Sequence, residues 1–161
     1  MSMTCCFSGH RNIPANIMSE VVAATQNAIR EHYKMGVRTF KAGGALGFDT
    51  IGALLVLNLK NEFPDMRLHL ELIAPGQENG WSEHEISLFN SIKARADSVR
   101  YASQTYTRGA IFSRNRNLVD GSEYIICYLK NSKGGTAYTV DYAKKKGLII
   151  TNIANGGNNV Q

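Results

Sequence analysis

Three short glycine-bearing stretches punctuate the chain, each where an apolar, β-prone run gives way to a helical pattern: Ser8-Gly9-His10-Arg11, Gly43-Gly44-Ala45-Leu46-Gly47-Phe48-Asp49 and Lys133-Gly134-Gly135-Thr136. A strand–glycine–helix junction exposes backbone N–H groups at the positive end of a helix, where they suit a phosphate or another anion. One such junction says little. Three, with arginines nearby, point to a small α/β domain built around a nucleotide-like ligand.

The pattern between the junctions supports that reading. Residues 4–7 form a short apolar strand, and Ile17, Val21, Ala24 and Ala28 then recur at helical spacing on one face up to about residue 33. Further strands are expected over 37–42, 68–74, 98–101, 124–128 and 148–153, with helices over 49–59, 83–94, 110–119 and 136–146. Strands and helices alternate without a repeat or a long linker, and the strands read as continuous apolar runs. The expected fold is one Rossmann-like, doubly wound α/β domain over residues 1–153, a mostly parallel sheet with helices on both faces. In such sheets ligands lie beyond the carboxyl ends of the strands, where all three glycine stretches fall. The Asn- and Gly-rich segment 154–161 is expected to fray. The helix over 49–59 carries Ile51, Leu54, Leu55, Val56, Leu57 and Leu59 around much of its circumference. Such a surface requires deep burial or a partner subunit, so a homodimer is one expectation.

Composition narrows the partners. A chain of 161 residues holds one ordinary domain, and its net charge of +5 favours anionic ligands while leaving nucleic acid open but not favoured. Lys144-Lys145-Lys146 precedes Gly147 at a predicted helix end, where cations complement the dipole and glycine caps the turn. Cys5, Cys6 and Cys127 lack paired spacing and lie in apolar runs, the pattern of buried, reduced thiols in a cytoplasmic protein. No segment approaches the roughly 20 apolar residues of a membrane span. His10, His32, His69 and His84 do not cluster, so no metal site is expected, and no cofactor is implied. Neither G-x-x-x-x-G-K-[ST] nor G-x-G-x-x-G occurs, which removes the P-loop and the ordinary NAD fingerprint.

The order of motifs resembles the SLOG superfamily, which groups DprA/Smf proteins with the LOG (Lonely Guy) proteins, and most closely its YpsA-like branch of small stand-alone bacterial proteins. The resemblance rests on Ser8-Gly9-His10-Arg11, the stretch from Gly43 to Asp49, and a Pro75- and Trp81-containing segment. It also rests on Arg114-Asn115-Arg116-Asn117, Val119-Asp120 and Lys133-Gly134-Gly135-Thr136, and so covers most of the chain. It implies a Rossmann-like fold and a phosphorylated, nucleotide-like ligand.

The site residues expected on both grounds are Ser8, Gly9, His10, Arg11, Gly43, Gly44, Gly47, Asp49, Arg114, Asn115, Gly134, Gly135 and Thr136, with Pro75 and Trp81 as pocket wall. Gly134 and Gly135 would present N–H groups, Thr136 a hydroxyl, and Arg11 and Arg114 bidentate guanidinium forks. Asp49 could cap its helix or hold a ribose hydroxyl, and Trp81 could stack on a base or pack. LOG proteins are phosphoribohydrolases whose Pro-Gly-Gly-x-Gly-Thr-x-x-Glu motif supplies a glutamate to N-glycosidic cleavage. Thr139 stands at that position here and cannot act as a carboxylate; Glu78, Glu83 or Glu85 could substitute, but the sequence selects none. The favoured expectation is therefore a nucleotide-binding or sensing domain. An N-glycosidase and a DprA-like nucleic-acid or protein-partner adaptor are the alternatives.

Overall fold

The computed structural model of the chain describes residues 2–155 and the backbone of 159–160. Its first strand, β1 (Met3–Gly9), is the pivot: Cys5 and Phe7 join the core on one side, Cys6 on the other, and all three are fully buried. A strand that is apolar on both sides must be covered on both.

From β1 the chain runs through α1 (Met18–Lys34) to β2 (Val37–Ala42), through α2 (Phe48–Leu59) to β3 (Arg67–Leu72), and through α3 (Glu83–Arg95) to β4 (Ser98–Tyr101). Helix α4 (Arg108–Val119) carries it back to β5 (Tyr124–Tyr128) on the other side of β1, and α5 (Gly135–Lys145) leads on to β6 (Ile149–Asn152). The order is β4-β3-β2-β1-β5-β6, all parallel, extended by β7 (Asn159–Val160) antiparallel to β6. Right-handed crossovers stepping one way from β1 place α1, α2 and α3 on one face, and those stepping the other way place α4 and α5 opposite. The packing agrees. Phe7, Phe40, Leu70 and Tyr128 share a core with Val21, Phe48 and Phe89, whereas Cys6, Ile125, Cys127 and Ile150 share another with Leu118, Val140 and Ala143. The winding reverses between β1 and β5, a topological switch point.

Helix α2 lies between α1 and α3 across β1, β2 and β3. Its ring of apolar side chains is answered inside the chain, and none is among the exposed large hydrophobics. Burial is thus the alternative that α2 adopts, and its apolar surface supplies no argument for a partner.

The sheet is less apolar than expected at one end. On β3, Leu68, Leu70 and Leu72 are buried, but His69 and Glu71 alternate with them and face away from that core. Glu71 accepts from Arg100 Nε (2.8 Å) and Nη2 (3.0 Å) and from His69 Nε2 (2.9 Å), while all four β4 residues are exposed. Helix α4 lies against β1 and β3 and α5 against β1, β5 and β6, while β4 at the sheet edge stays exposed, and the polar side chains of β3 and β4 pair with one another on this face. Strand β3 also ends at Leu72 rather than 74, because the Ile73 N–H donates to Gln77 Oε1 (2.8 Å) and opens the turn. The three cysteines are free and buried, and burial pushes the Cys6 and Cys127 thiols up to about 12. Among the described residues, no helix is long and apolar enough to cross a membrane.

Candidate functional site

The glycine stretches end three adjacent strands, β2, β1 and β5, so they meet at one edge of the sheet. At the end of β1, Gly9 has no room for a Cβ against Phe48, and the His10 carbonyl accepts from the Phe48 N–H (3.2 Å). The His10 N–H in turn donates to the Tyr128 carbonyl (3.2 Å), joining the β1 turn to β5. The ring completes that joint. His10 Nε2 receives the N–H of Lys130 (2.8 Å) and, more weakly, of Asn131 (3.4 Å). A nitrogen accepting from backbone donors must be unprotonated, which places the proton of the neutral ring on Nδ1. Burial, which lowers the imidazole pKa, favours the same state.

The β2 turn is held from three directions. The Gly43 carbonyl accepts from Arg114 Nη1 and from Gln77 Nε2 (3.1 Å), tying α4 and the β3 turn to it. Asp49 lies beneath the same turn, close to Gly43, and the Gly43 and Ala45 backbone favours its charged form. Its carboxyl is 5 % exposed, and burial raises its pKa to about 6 against the opposing pull of Arg114 and that backbone. The N-cap of α2 is Gly47, not Asp49. At φ +85°, and with the Arg11 carbonyl where a Cβ would stand, Gly47 admits no side chain. Arg114 likewise faces inward: it is 7 % exposed, and its Nε donates to Asn115 Oδ1 (3.0 Å). These two residues brace the turn from within.

The last junction is the open one. Gly134 is the N-cap of α5 at φ +99° and contributes no side-chain acceptor, so first-turn N–H groups lack a side-chain cap. Gly134 and Gly135 are exposed and Thr136 half-buried. Asn115 reaches this turn, its Nδ2 lying 3.9 Å from where a Cβ on Gly135 would stand. Thr139 is buried on α5 and donates to the Gly135 carbonyl (2.9 Å).

Across the edge, Trp81 packs edge to face on Phe89 (5.4 Å between centroids), and the Arg11 guanidinium lies 5.9 Å over its ring. With exposed Pro75, buried Gln77 and exposed Tyr106 they line a hollow of about 500 Å³. Ser82 and Glu85 form a capping box on α3, with Glu85 Oε1 accepting the Ser82 N–H (2.9 Å), so this carboxylate already has a structural task. Ser8, at the end of β1, is buried.

The structure thus brings the β1, β2, β3 and β5 turns and α4 into one continuous set of contacts. Gln77, Tyr128, Lys130 and Asn152 also take part, and no motif in the sequence points to them. Asn152 bonds both the N–H (3.1 Å) and the carbonyl (3.0 Å) of Leu129 and so fixes the start of the β5 turn. Only their places, Gln77 in the turn after β3 and Asn152 at the last position of β6, could have signalled them. No cluster of His, Cys, Asp and Glu able to hold a metal occurs among the described residues.

A six-stranded parallel sheet with helices on both faces, and glycine turns gathered at its switch point, defines a Rossmann-like domain. More narrowly, the chain belongs to the YspA SLOG family, whose model matches residues 6–150. It is 29% identical over 109 residues to UPF0398 proteins of Bacillus thuringiensis (strain Al Hakam) and Bacillus cereus (strain AH187), a match covering 66% of this chain. It spans 59% of the length of those relatives. Among solved structures, DNA processing protein A of Streptococcus pneumoniae superposes with a TM-score of 0.67 at 15% identity, over 92% of this chain and 49% of that one. The Helicobacter pylori protein, studied for its unique single-stranded DNA binding mode, gives 0.62 at 18% identity, over 92% of this chain and 63% of that one.

Proposed function

We propose that this edge binds a phosphorylated, nucleotide-like small molecule, with its phosphate on the first turn of α5 and the rest directed toward Arg11 and Trp81. One observation carries the reading: the α5 N-terminus, uncapped behind Gly134, opens at the switch point beside Asn115. Backbone N–H groups and the helix dipole favour an anion there. The buried Arg114 and Asp49 serve that site by holding its neighbouring turn. A binding or sensing role fits better than LOG-type hydrolysis, since Thr139 offers no carboxylate and Glu85 is engaged in a cap. The three free buried thiols suit a cytoplasmic setting.

The test is a thermal-shift and calorimetric panel of AMP, ADP-ribose and NAD against the protein and Gly135→Asp. A ligand that binds only the folded state raises Tm by mass action. Position 135 is the first residue of α5, its φ is not in the left-handed region, and an acidic residue there complements the dipole. The variant should therefore keep or slightly raise its own Tm while losing tenfold or more in affinity (about 1.4 kcal/mol). Equal affinity in both proteins places the phosphate elsewhere. A second reading, single-stranded nucleic acid, draws on exposed Tyr106 near Arg11 and Trp81 and on the likeness to the H. pylori protein.

A further inference from the structure

Tyr128 ends β5 at the switch point, and its ring is fully occupied: it stacks on Phe48 (6.1 Å) and meets His10 edge to face (5.9 Å). The residue is 2 % exposed, yet its hydroxyl is buried without a hydrogen-bond partner. A phenol in that state forfeits roughly 1–3 kcal/mol unless something outside the chain pairs with it. Two hollows meet at this residue and at Lys130. One, of about 360 Å³, is lined by Arg11, Lys130, Asn12 and Asn131. The other, of about 310 Å³, is lined by Ile17 just before α1, by Val21 and Ala24 of α1 and by Ile153 and Ala154 after β6, with Glu20 on the rim. Neither includes the α5 turn or Asn115.

The two halves differ in chemistry. The first brings two cations and no carboxylate, and among the described residues Arg11 makes no ion pair, only its contact with Trp81. The second is aliphatic apart from its shared Tyr128 and Lys130 and its rim carboxylate. Its walls offer no free aromatic face, because both neighbours of the Tyr128 ring are already packed on it, so a nucleobase would find nothing to stack on there. A branched apolar body of a few carbons would instead be enclosed, with its charged end turned toward Lys130 and Arg11.

We infer that this trough between α1 and the ends of β5 and β6 is a second binding site, for a small amphipathic carboxylate, adjoining the nucleotide site and sharing Arg11 with it. The carboxylate sits between Lys130 and Arg11, and the Tyr128 hydroxyl, closed off from solvent in the free protein, donates to it once the ring shifts toward the hollow. The apolar body lies against Val21, Ala24 and Ile153. Exposed Glu20 at the mouth gives an α-ammonium substituent a partner, so an apolar amino acid and its deaminated analogue share the same recognition.

The probe is 4-methylpentanoate, compared with acetate (the head alone), 4-methylpentanol (the body alone) and leucine, which differs from the probe by one amino group. Amide shifts in ¹H–¹⁵N spectra report where each binds. The expected result is millimolar or tighter binding of 4-methylpentanoate, perturbing α1 and residues 128–131, with acetate and the alcohol each at least tenfold weaker. Tyr128→Phe should fold with an unchanged or higher Tm, since it removes only an unpaired buried hydroxyl, and should weaken binding about fivefold. Ala24→Phe fills the apolar half and should abolish binding. Leucine binding tighter than the probe identifies an amino acid as ligand, and the reverse order identifies a simple acid. The inference is overturned if acetate binds as well as the probe, if both variants bind like the parent, or if a single ordered water is the only partner ever found on Tyr128. A protein that takes 4-methylpentanoate but ignores every nucleotide keeps this inference and loses the previous one.

Discussion

Arg114 lies on α4, and its guanidinium reaches away from solvent to the Gly43 carbonyl and Asn115, with Asp49 close enough to interact electrostatically. Removing it leaves a carbonyl short of one donor and a buried carboxyl without its compensating charge. Arg114→Ala should therefore cost about 3 kcal/mol in urea unfolding, whatever it does to ligand binding. A loss below about 1 kcal/mol, together with abolished nucleotide binding, would instead make it a ligand contact. His10 makes a pH-dependent prediction of definite sign. Its folded pKa is lowered below the ordinary 6.5, so between the two values the unfolded chain binds the extra proton. Stability from this latch is present above pH 6.5 and is lost as pH falls through the folded pKa. The charged groups lining the adjoining hollow, Arg11 and Lys130, are both cationic, so no carboxylate there offsets the effect of burial. On acidification the Lys130 amide should lose hydrogen-exchange protection before the core strands do. His10→Gln, which keeps an acceptor at that reach, should hold its protection across the same range. Parallel loss in both proteins would show that the ring nitrogen does not hold the turn.

At the level of elements, α2 explains both a success and a gap in reading the sequence. Its apolar circumference is plain from Ile51 to Leu59, but whether neighbours or a second subunit answer it depends on where the crossovers place α1 and α3. The same helix carries Gly52, where a Cβ would stand 2.9 Å from three ring atoms of Phe7, a fully buried side chain. In an exposed helix Gly→Ala gains about 1 kcal/mol. Here the ring cannot retreat, and overpacking of roughly 1–3 kcal/mol outweighs the gain. Gly52→Ala should lower Tm, and a higher Tm would show that α2 can lift from the sheet. The glycine junctions were legible because a strand–glycine–helix hand-over is local. The purposes of Arg114, Asp49 and His10 were not, since each acts on a turn that strand order, rather than sequence spacing, brings beside it. His69, Glu71 and Arg100 escaped for a related reason: only the topology leaves one face of β3 and β4 polar.

Taken as a whole molecule, the chain presents a modest net charge of +5, and part of its basic surface is already paired. Arg30, Arg38, Lys60 and Arg100 each face a carboxylate. At this end of the sheet, the exposed cations among the described residues without a carboxylate partner are Arg11, Arg108, Lys130 and Lys133. That number decides between a nucleotide and a polynucleotide. Each phosphate contact with a single strand contributes about 0.7 to the slope of log affinity against log salt. Four contacts would give a slope of roughly 3, so an oligothymidylate should bind weakly at low salt and release gradually as salt rises. A mononucleotide held mainly by α5 backbone groups and a single guanidinium should show a shallower dependence. Fluorescence anisotropy with labelled dT12 across a salt series reads the difference directly. A slope of about 5 or more would require basic surface well beyond this edge, and would move the assignment from a small-molecule site to a strand-binding face.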